Sequence, residues 1–249
     1  MGAGHPPIQV NEVWGRQDRS GQSQKVKVHQ AVSPRDGGPT PYSYNASGSG
    51  KKPLGSCASC WAFTAAATVE GRLAKNSQQL TSLSEQNLVD CAKSYQDEGC
   101  NAGWVNEAYK YIKENGIESS STYPYKAKKE SCKFNQQDSV GTISSYKSSW
   151  SATEEEMMTL VADHGPISVY VFMSKAFMEF KGSGIFDDSN CNKDVNHAVT
   201  VVGYVNNANE SYWIIKNSFG KGWGDNGYMK MIMFKNMCSI TTHIHYLTA

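Results

Sequence analysis

The sequence predicts an α+β protein in which helices come first and strands follow. In the middle of the chain, apolar residues recur at helical spacing between capping residues and glycines. After Pro166 the pattern changes to short runs of β-branched and aromatic residues, separated by Gly, Asn and Lys. Helices grouped ahead of strands are typical of the α+β class. We therefore expect a helical half and a sheet half, with a functional site in the cleft between them.

The first 54 residues differ from the rest of the chain. They hold most of the eight prolines, together with GGP and SGSG, and no helical or alternating pattern continues for more than a few positions. We expect residues 1–54 to be an atypical, largely irregular segment. The folded domain is predicted over residues 55–249, with a helical lobe over about 55–150 and a sheet lobe over about 151–249.

Four runs with helical spacing follow this segment. The first, CWAFTAAATVEGRLA, predicts a helix that begins near Cys60. The second, SLSEQNLVDC, has Ser82 three residues ahead of Glu85, which predicts a capping box at Ser82. The third and fourth, VNEAYKYIKENG and TEEEMMTLVADHGP, are expected to end at Gly116 and Gly165. Strands are predicted in ISVYVF, HAVTVVGY, SYWIIKN and GYMKMIMF.

Composition excludes several classes of function. The chain has 249 residues and 39% hydrophobic content, enough for a buried core. A net charge of +1 gives no reason to expect nucleic acid or an anionic membrane as a partner. No apolar stretch reaches about 18 residues, so no membrane span is predicted. The opening residues also lack the apolar core of a signal peptide.

Seven cysteines are spread along the chain, and two of them, Cys57 and Cys60, stand three positions apart in GSCASCWAF. An odd number suits three disulfides and one free thiol in an oxidising compartment; a reduced protein with seven buried thiols is the alternative. The spacing is compatible with a redox pair, two metal ligands, a disulfide, or a structural cysteine beside a reactive one. A redox pair is typical of a βαβ context, and a zinc site needs a second ligand pair; the sequence has neither.

Cys60 has the position expected of a nucleophile. A cysteine in the first turn of a helix lies at the positive end of the helix dipole, which favours the reactive thiolate. A nucleophile needs a base, and His197 stands at the start of the predicted strand HAVTVVGY. Asn217, at the end of the next strand, can orient the imidazole. His197 and Asn217 follow Cys60 by 137 and 157 residues.

Eight stretches occur in the order in which a known family has them, namely GSCASCWAF, SLSEQNLVDC, EGCNAG, YPY, GPISV, VNHAVTVVGY, YWIIKNSFGKGWGDNGY and CSI. Through them, the chain from Gly55 onward resembles the papain-like cysteine proteases, most closely the cathepsin L branch. The resemblance implies a two-lobed fold, with the Cys60 helix at the interface and His197 on an antiparallel, barrel-like sheet opposite. It also implies peptide-bond hydrolysis through a thioester.

Further properties are implied by the same resemblance. The protein would act on polypeptides as a monomer without a metal or other cofactor, bind cystatin-type or propeptide-type inhibitors, and be lysosomal or secreted. Cys60 would be the unpaired thiol beside three disulfides, Cys57–Cys100, Cys91–Cys132 and Cys191–Cys238.

The resemblance also places a substrate-binding surface. The backbone of Gly103 would hydrogen-bond an extended substrate. The pocket for the second residue from the scissile bond would be lined by Trp104, Val105, Tyr170, Val195 and His243. Two bulky aromatic residues predict a narrowed pocket, and the histidine predicts a preference that changes with pH.

The sequence departs from the family at three points. The oxyanion hole would combine the Cys60 backbone N–H with a glutamine side chain, but Leu54 occupies the glutamine position and has no donor. Either Lys51 or Lys52 replaces that donor, or the N-terminal segment is a divergent or mispredicted exon. Phe219 stands where the family has tryptophan, and no propeptide signature is visible. The Leu54 departure leaves a second hypothesis, a pseudoprotease that binds peptides or inhibitors without efficient cleavage.

Overall fold

The computed structural model describes residues 11–17, 23–28, 57–77, 79–92 and 99–248. Within the N-terminal segment, strands β1 (Asn11–Gln17) and β2 (Ser23–Val28) pair antiparallel. Two strands therefore lie in a region that the sequence predicts to be largely irregular. The position of Leu54 is outside the described residues.

Among the described residues, five α-helices form at the stretches of helical spacing and in one short turn. They are α1 (Cys60–Ser77), α2 (Glu85–Cys91), α3 (Val105–Asn115), α4 (Glu154–His164) and α5 (Lys175–Met178). The helices α3 and α4 end at Gly116 and Gly165, where φ is +89° at both positions, a conformation that glycine adopts without steric cost. Among the described helices, none is both long enough and apolar enough to cross a membrane.

The start of α2 corrects one prediction. Its cap is Ser84, whose hydroxyl accepts the Asn87 backbone N–H at 2.9 Å. The carbonyl of Ser82 instead accepts the backbone N–H of Ser120 at 2.8 Å, which holds Ser82 in an extended segment ahead of the helix. The predicted capping box at Ser82 is therefore wrong, because a tertiary hydrogen bond uses this residue elsewhere.

One large sheet forms most of the second half. Its seven strands lie in the order β5-β11-β6-β8-β9-β10-β7, and every pair is antiparallel except β10 with β7. A further pair, β3 with β4, forms a small antiparallel sheet. The edge strands β5 and β7 do not pair with each other, so the large sheet is open and not the barrel-like closure that the resemblance implies. The strands are β3 (Ile117–Glu118), β4 (Ser139–Gly141), β5 (Ser145–Ser149), β6 (Ile167–Val171), β7 (Ile185–Phe186), β8 (His197–Asn206), β9 (Ser211–Lys216), β10 (Tyr228–Ile232) and β11 (Ile244–Thr248).

Two separate clusters of buried side chains correspond to the two halves. One lies among α1, α2 and α3 around Trp61 and Tyr109. The other lies between α4 and the large sheet around Trp213 and Met157. Residues 145–149, which the sequence division places with the helices, belong to the sheet as β5.

A chain of buried hydroxyl groups joins the two lobes. Ser168 on β6 lies 2.8 Å from the Thr68 hydroxyl on α1 and 2.6 Å from the Tyr109 hydroxyl on α3. All three side chains are fully buried. Burial raises the pKa of Tyr109, so its hydroxyl stays protonated and takes part in the hydrogen bonds. We call these three residues the hydroxyl seam.

Candidate active site

Cys60 is the first residue of α1, at the boundary between the lobes. The residue before it, Ser59, is buried, and its hydroxyl lies 2.6 Å from the Tyr125 hydroxyl. The residue after it, Trp61, donates its indole N–H to the Gly99 carbonyl at 3.3 Å. These bonds fix both neighbours of the thiol, and Cys60 itself remains partly exposed.

His197 faces this thiol from the sheet. It is the first residue of β8, a central strand between β6 and β9, and only 4% of it is exposed. Its Nε2 donates to Oδ1 of Asn217 at 2.8 Å, and the imidazole also hydrogen-bonds the Cys60 thiol. Because Nε2 is engaged by Asn217, Nδ1 is the nitrogen that meets the sulfur. The structure thus brings together the thiol, the imidazole and the amide that the sequence singles out.

The surroundings of Cys60 favour its thiolate. Burial alone would raise the pKa of the thiol, but the His197 hydrogen bond and charge act in the opposite direction. Backbone N–H groups of Ala198 and Trp61 add further hydrogen bonds to the sulfur. The net result is a pKa below the usual value for cysteine, as a nucleophile requires.

Asn217 is held at the end of β9 and shielded from water. It is 8% exposed, and its Oδ1 also accepts the Ser218 backbone N–H at 2.8 Å. The ring of Phe219 lies 5.0 Å from the His197 ring at an interplanar angle of 34°, so an aromatic ring covers the pair without the family's tryptophan. Trp223 packs against Phe219 with ring centroids 5.8 Å apart.

Gly103 lies directly against the ring of Trp61. A Cβ atom at this position would fall 2.2 Å from the indole, too close for any side chain. The backbone before α3 can therefore approach the start of α1 only with glycine here.

The residues of the predicted pocket converge beside this glycine. The rings of Trp104 and Tyr170 are 5.7 Å apart, and those of Tyr170 and His243 are 5.9 Å apart. Val105 donates its backbone N–H to the Tyr170 hydroxyl at 2.9 Å. Val195 is partly buried and packs against the cluster that contains Tyr170.

Sequence reasoning missed three residues around this surface. Ala198 supplies a backbone N–H to the sulfur, which no side-chain pattern signals. The exposed ring of Trp150 lies 4.7 Å from His243. His245 is buried, with Nδ1 2.7 Å from the Ser148 hydroxyl.

The cysteines resolve the question raised by the C-x-x-C spacing. Cys57 is bonded to Cys100 and not to its neighbour, and Cys60 is the free thiol. The other disulfides are Cys91–Cys132 and Cys191–Cys238, which are the pairs that the resemblance implies. In the part of the chain that the structure describes, no three His, Cys, Asp or Glu side chains are grouped to hold a metal ion.

Comparison with known proteins decides the family. A family model described as papain family cysteine protease matches residues 46–248. The chain belongs to this family. Cathepsin S of Mus musculus is 42% identical to it over 196 residues, which is 77% of this chain and 58% of the relative. Cathepsin L2 of Homo sapiens is 41% identical over 197 residues, 76% of this chain and 59% of the relative.

A solved structure supports the same assignment for this member of the papain family. The digestive procathepsin L 3 of Tenebrio molitor larval midgut has a TM-score of 0.73 and 42% identity, over 78% of this chain and 64% of that one. The fold is papain-like, with helices in one lobe and a large, mostly antiparallel sheet in the other. The chain spans less than two thirds of the length of these relatives.

Proposed function

We propose that this chain is a cysteine-type endopeptidase. The observation that carries the proposal is the contact of the Cys60 thiol with His197, whose opposite ring nitrogen is held by Asn217 at 2.8 Å. A nucleophile, a base and an orienting group in series are the arrangement that acyl transfer requires.

The reaction follows from the roles of these three groups. The Cys60 sulfur attacks the peptide carbonyl carbon, and the S–C bond forms as the carbonyl oxygen becomes an oxyanion. His197 has taken the proton of the Cys60 thiol, and when the C–N bond breaks it gives this proton to the leaving amine and a thioester remains. A water molecule, deprotonated by His197, then attacks the thioester and releases the acid and the thiol. Asn217 keeps the imidazole in one orientation throughout.

Stabilisation of the oxyanion is the step in which this chain departs from its family. The backbone N–H of Cys60 is one donor, and Leu54 stands where the second donor is expected. Loss of one such donor costs about 2.7–4 kcal/mol, or roughly 10²–10³ in turnover. We therefore expect weak activity unless Lys51 or Lys52 supplies the missing donor.

Leu54 also supports a second candidate function. A papain-like pseudoprotease would keep the cleft and the reactive thiol but bind peptides or inhibitors without efficient cleavage. The enzyme is preferred because Cys60, His197 and Asn217 are all present and in contact.

The substrate surface is part of the proposal. Gly103 would bind the substrate backbone, and the pocket of Trp104, Val105, Tyr170, Val195 and His243 would take the second residue from the scissile bond. Burial lowers the pKa of His243, so its charge would change the preference only below pH 6.5. A peptide-library profile that is the same after His243→Ala would remove His243 from this role.

Partners and compartment follow from the family. We expect polypeptide substrates, cystatin-type or propeptide-type inhibitors and a monomer. A lysosomal or secreted location fits the three disulfides, which persist in oxidising compartments.

Two measurements on one preparation test the proposal. A vinyl-sulfone or epoxide peptide should label the protein at Cys60, and Cys60→Ser should abolish the label. Fluorogenic dipeptides should then be hydrolysed in mildly acidic, reducing buffer. Labelling without hydrolysis would favour the pseudoprotease, and no labelling at all would reject a reactive thiol.

The oxyanion argument has its own test. Leu54→Gln should raise kcat by roughly 10²–10³, since it restores a donor that acts in the transition state. An unchanged kcat in a folded, reduced protein would show that Leu54 does not limit turnover.

A further inference from the structure

Tyr170 reaches from the sheet to the helical lobe. It lies on β6, only 7% of it is exposed, and its hydroxyl accepts the backbone N–H of Val105, the first residue of α3, at 2.9 Å. The side chain therefore spans the boundary between the lobes at the position of the predicted pocket.

This hydrogen bond replaces a missing helix cap. The residue before α3 is Trp104, whose side chain makes no capping hydrogen bond. The first backbone N–H groups of a helix lack partners within the helix, and a polar side chain normally supplies one. Here the cap comes from Tyr170 in the other lobe, so the start of α3 and the tyrosine ring hold each other in place.

The space around the ring is filled. Trp104 packs on Tyr170 from the helical side, and on the sheet side the rings of His243 and His245 lie 5.9 and 5.8 Å away. Trp150 contacts His243 beyond them. Four cavities open elsewhere among the described residues, and none of these four is lined by Tyr170, Trp104 or His243.

The filled space lies next to the reacting sulfur. Tyr170 pairs across the sheet with Ala198, and the Ala198 backbone N–H donates to the Cys60 sulfur. Since the proposed pocket includes Tyr170, a substrate side chain that enters this pocket would meet its ring.

We propose that Tyr170 closes the depth of this pocket, so that the protein takes peptides with a small second residue, such as glycine, alanine or serine. The proposal rests on the proposed function and gives it a substrate class. A branched or aromatic side chain would have to break the bond to Val105 and expel a packed ring, because interiors at this density do not absorb extra volume.

The test compares two fluorogenic dipeptides that differ only in their second residue from the scissile bond, alanine or phenylalanine. For the wild-type protein we expect kcat/KM at least tenfold higher with alanine. Tyr170→Ala should raise the phenylalanine-to-alanine ratio at least tenfold, and Tyr170→Phe should raise it less, because the ring stays but loses its anchor. Tyr109→Phe, which removes another buried hydroxyl bond between the lobes, should leave the ratio unchanged.

A wild-type preference for phenylalanine, or an unchanged ratio in Tyr170→Ala, overturns the proposal. If Tyr170→Ala does not fold, Tyr170→Val is judged by the same criterion. Calorimetry measures the binding of the same two peptides to Cys60→Ala, which cannot cleave them. It gives the ratio of the two affinities without catalysis. Tighter binding of the alanine peptide without cleavage of either substrate by wild-type protein rejects the endopeptidase and supports the closed pocket. Cleavage of both substrates with a preference for phenylalanine supports the endopeptidase and rejects the closed pocket.

Discussion

Acid should destabilise this protein through His245. The side chain is 2% exposed, its Nδ1 is bonded to Ser148, and the rings of Tyr170 and Trp150 lie 5.8 and 6.4 Å away. Burial, and after it the charge of His243, lowers the pKa of His245 to about 4 from an ordinary value of 6.5. The folded protein therefore resists a proton that the unfolded chain accepts.

The size and sign of the effect follow from this difference. Between pH 6.5 and about 4 the unfolded chain holds a proton that the folded protein lacks, so the free energy of unfolding falls as the pH falls. One pKa unit corresponds to about 1.4 kcal/mol, so the full shift is worth about 3 kcal/mol. This contribution is present at pH 7, is lost as the pH approaches 4, and changes little below that value.

Urea unfolding followed by tryptophan fluorescence measures this loss. The parent should be Cys60→Ser, which prevents self-cleavage, and the comparison is the same protein with His245→Asn. Asparagine can keep the bond to Ser148 but does not titrate. Between pH 7 and pH 4 the parent should lose about 3 kcal/mol more than the asparagine variant, because the other titrating groups contribute equally to both. Equal losses in the two proteins would refute the reasoning.

Three substitutions around the candidate site have separate expected outcomes. Asn217→Ala removes the acceptor of His197 and should lower turnover roughly 10–100-fold while Cys60 labelling persists; a smaller loss would show that the imidazole is oriented without it. Phe219→Ala should cost about 3–5 kcal/mol in urea unfolding, because it opens a cavity over the histidine, and near-parental stability would contradict the shielding role. Gly103→Ala should cost about 1–3 kcal/mol, because the methyl group meets the Trp61 ring; unchanged stability would mean that the ring moves freely.

Local patterns predicted the elements whose signals lie within a few residues. Gly165 ends α4 as expected, because its backbone N–H closes the last turn on the Val161 carbonyl and glycine adopts the φ of +89° without steric cost. Ser82 shows the limit of such reasoning. Its sequence context matches a capping box, yet the Ser120 hydrogen bond comes from a segment that no local pattern reveals.

The residues of the candidate site also differ in how far the sequence alone could predict them. Cys60, His197 and Asn217 were singled out by their chemistry and by their places at a helix start, a strand start and a strand end, and the structure brings them into contact. Their catalytic roles stay a prediction. The Tyr170 bond to Val105 was not, because it joins two lobes and uses a backbone group. The low pKa of His245 was not predictable either, because it comes from burial, which is decided by the packing of β11 between β5 and β6.

The hydrogen bonds of the hydroxyl seam, which connect the two lobes, respond to acid differently from His245. Thr68, Ser168 and Tyr109 have no group that gains or loses a proton between pH 4 and 7. Their attraction is also uncharged and short-ranged, so added salt should weaken it little. Acidification should therefore loosen the edge strand β5 and its neighbour β11, where His245 lies, while the bonds between the lobes along α1 persist. At low pH the cleft between the lobes would therefore stay formed, and the β5 edge of the large sheet would unfold first.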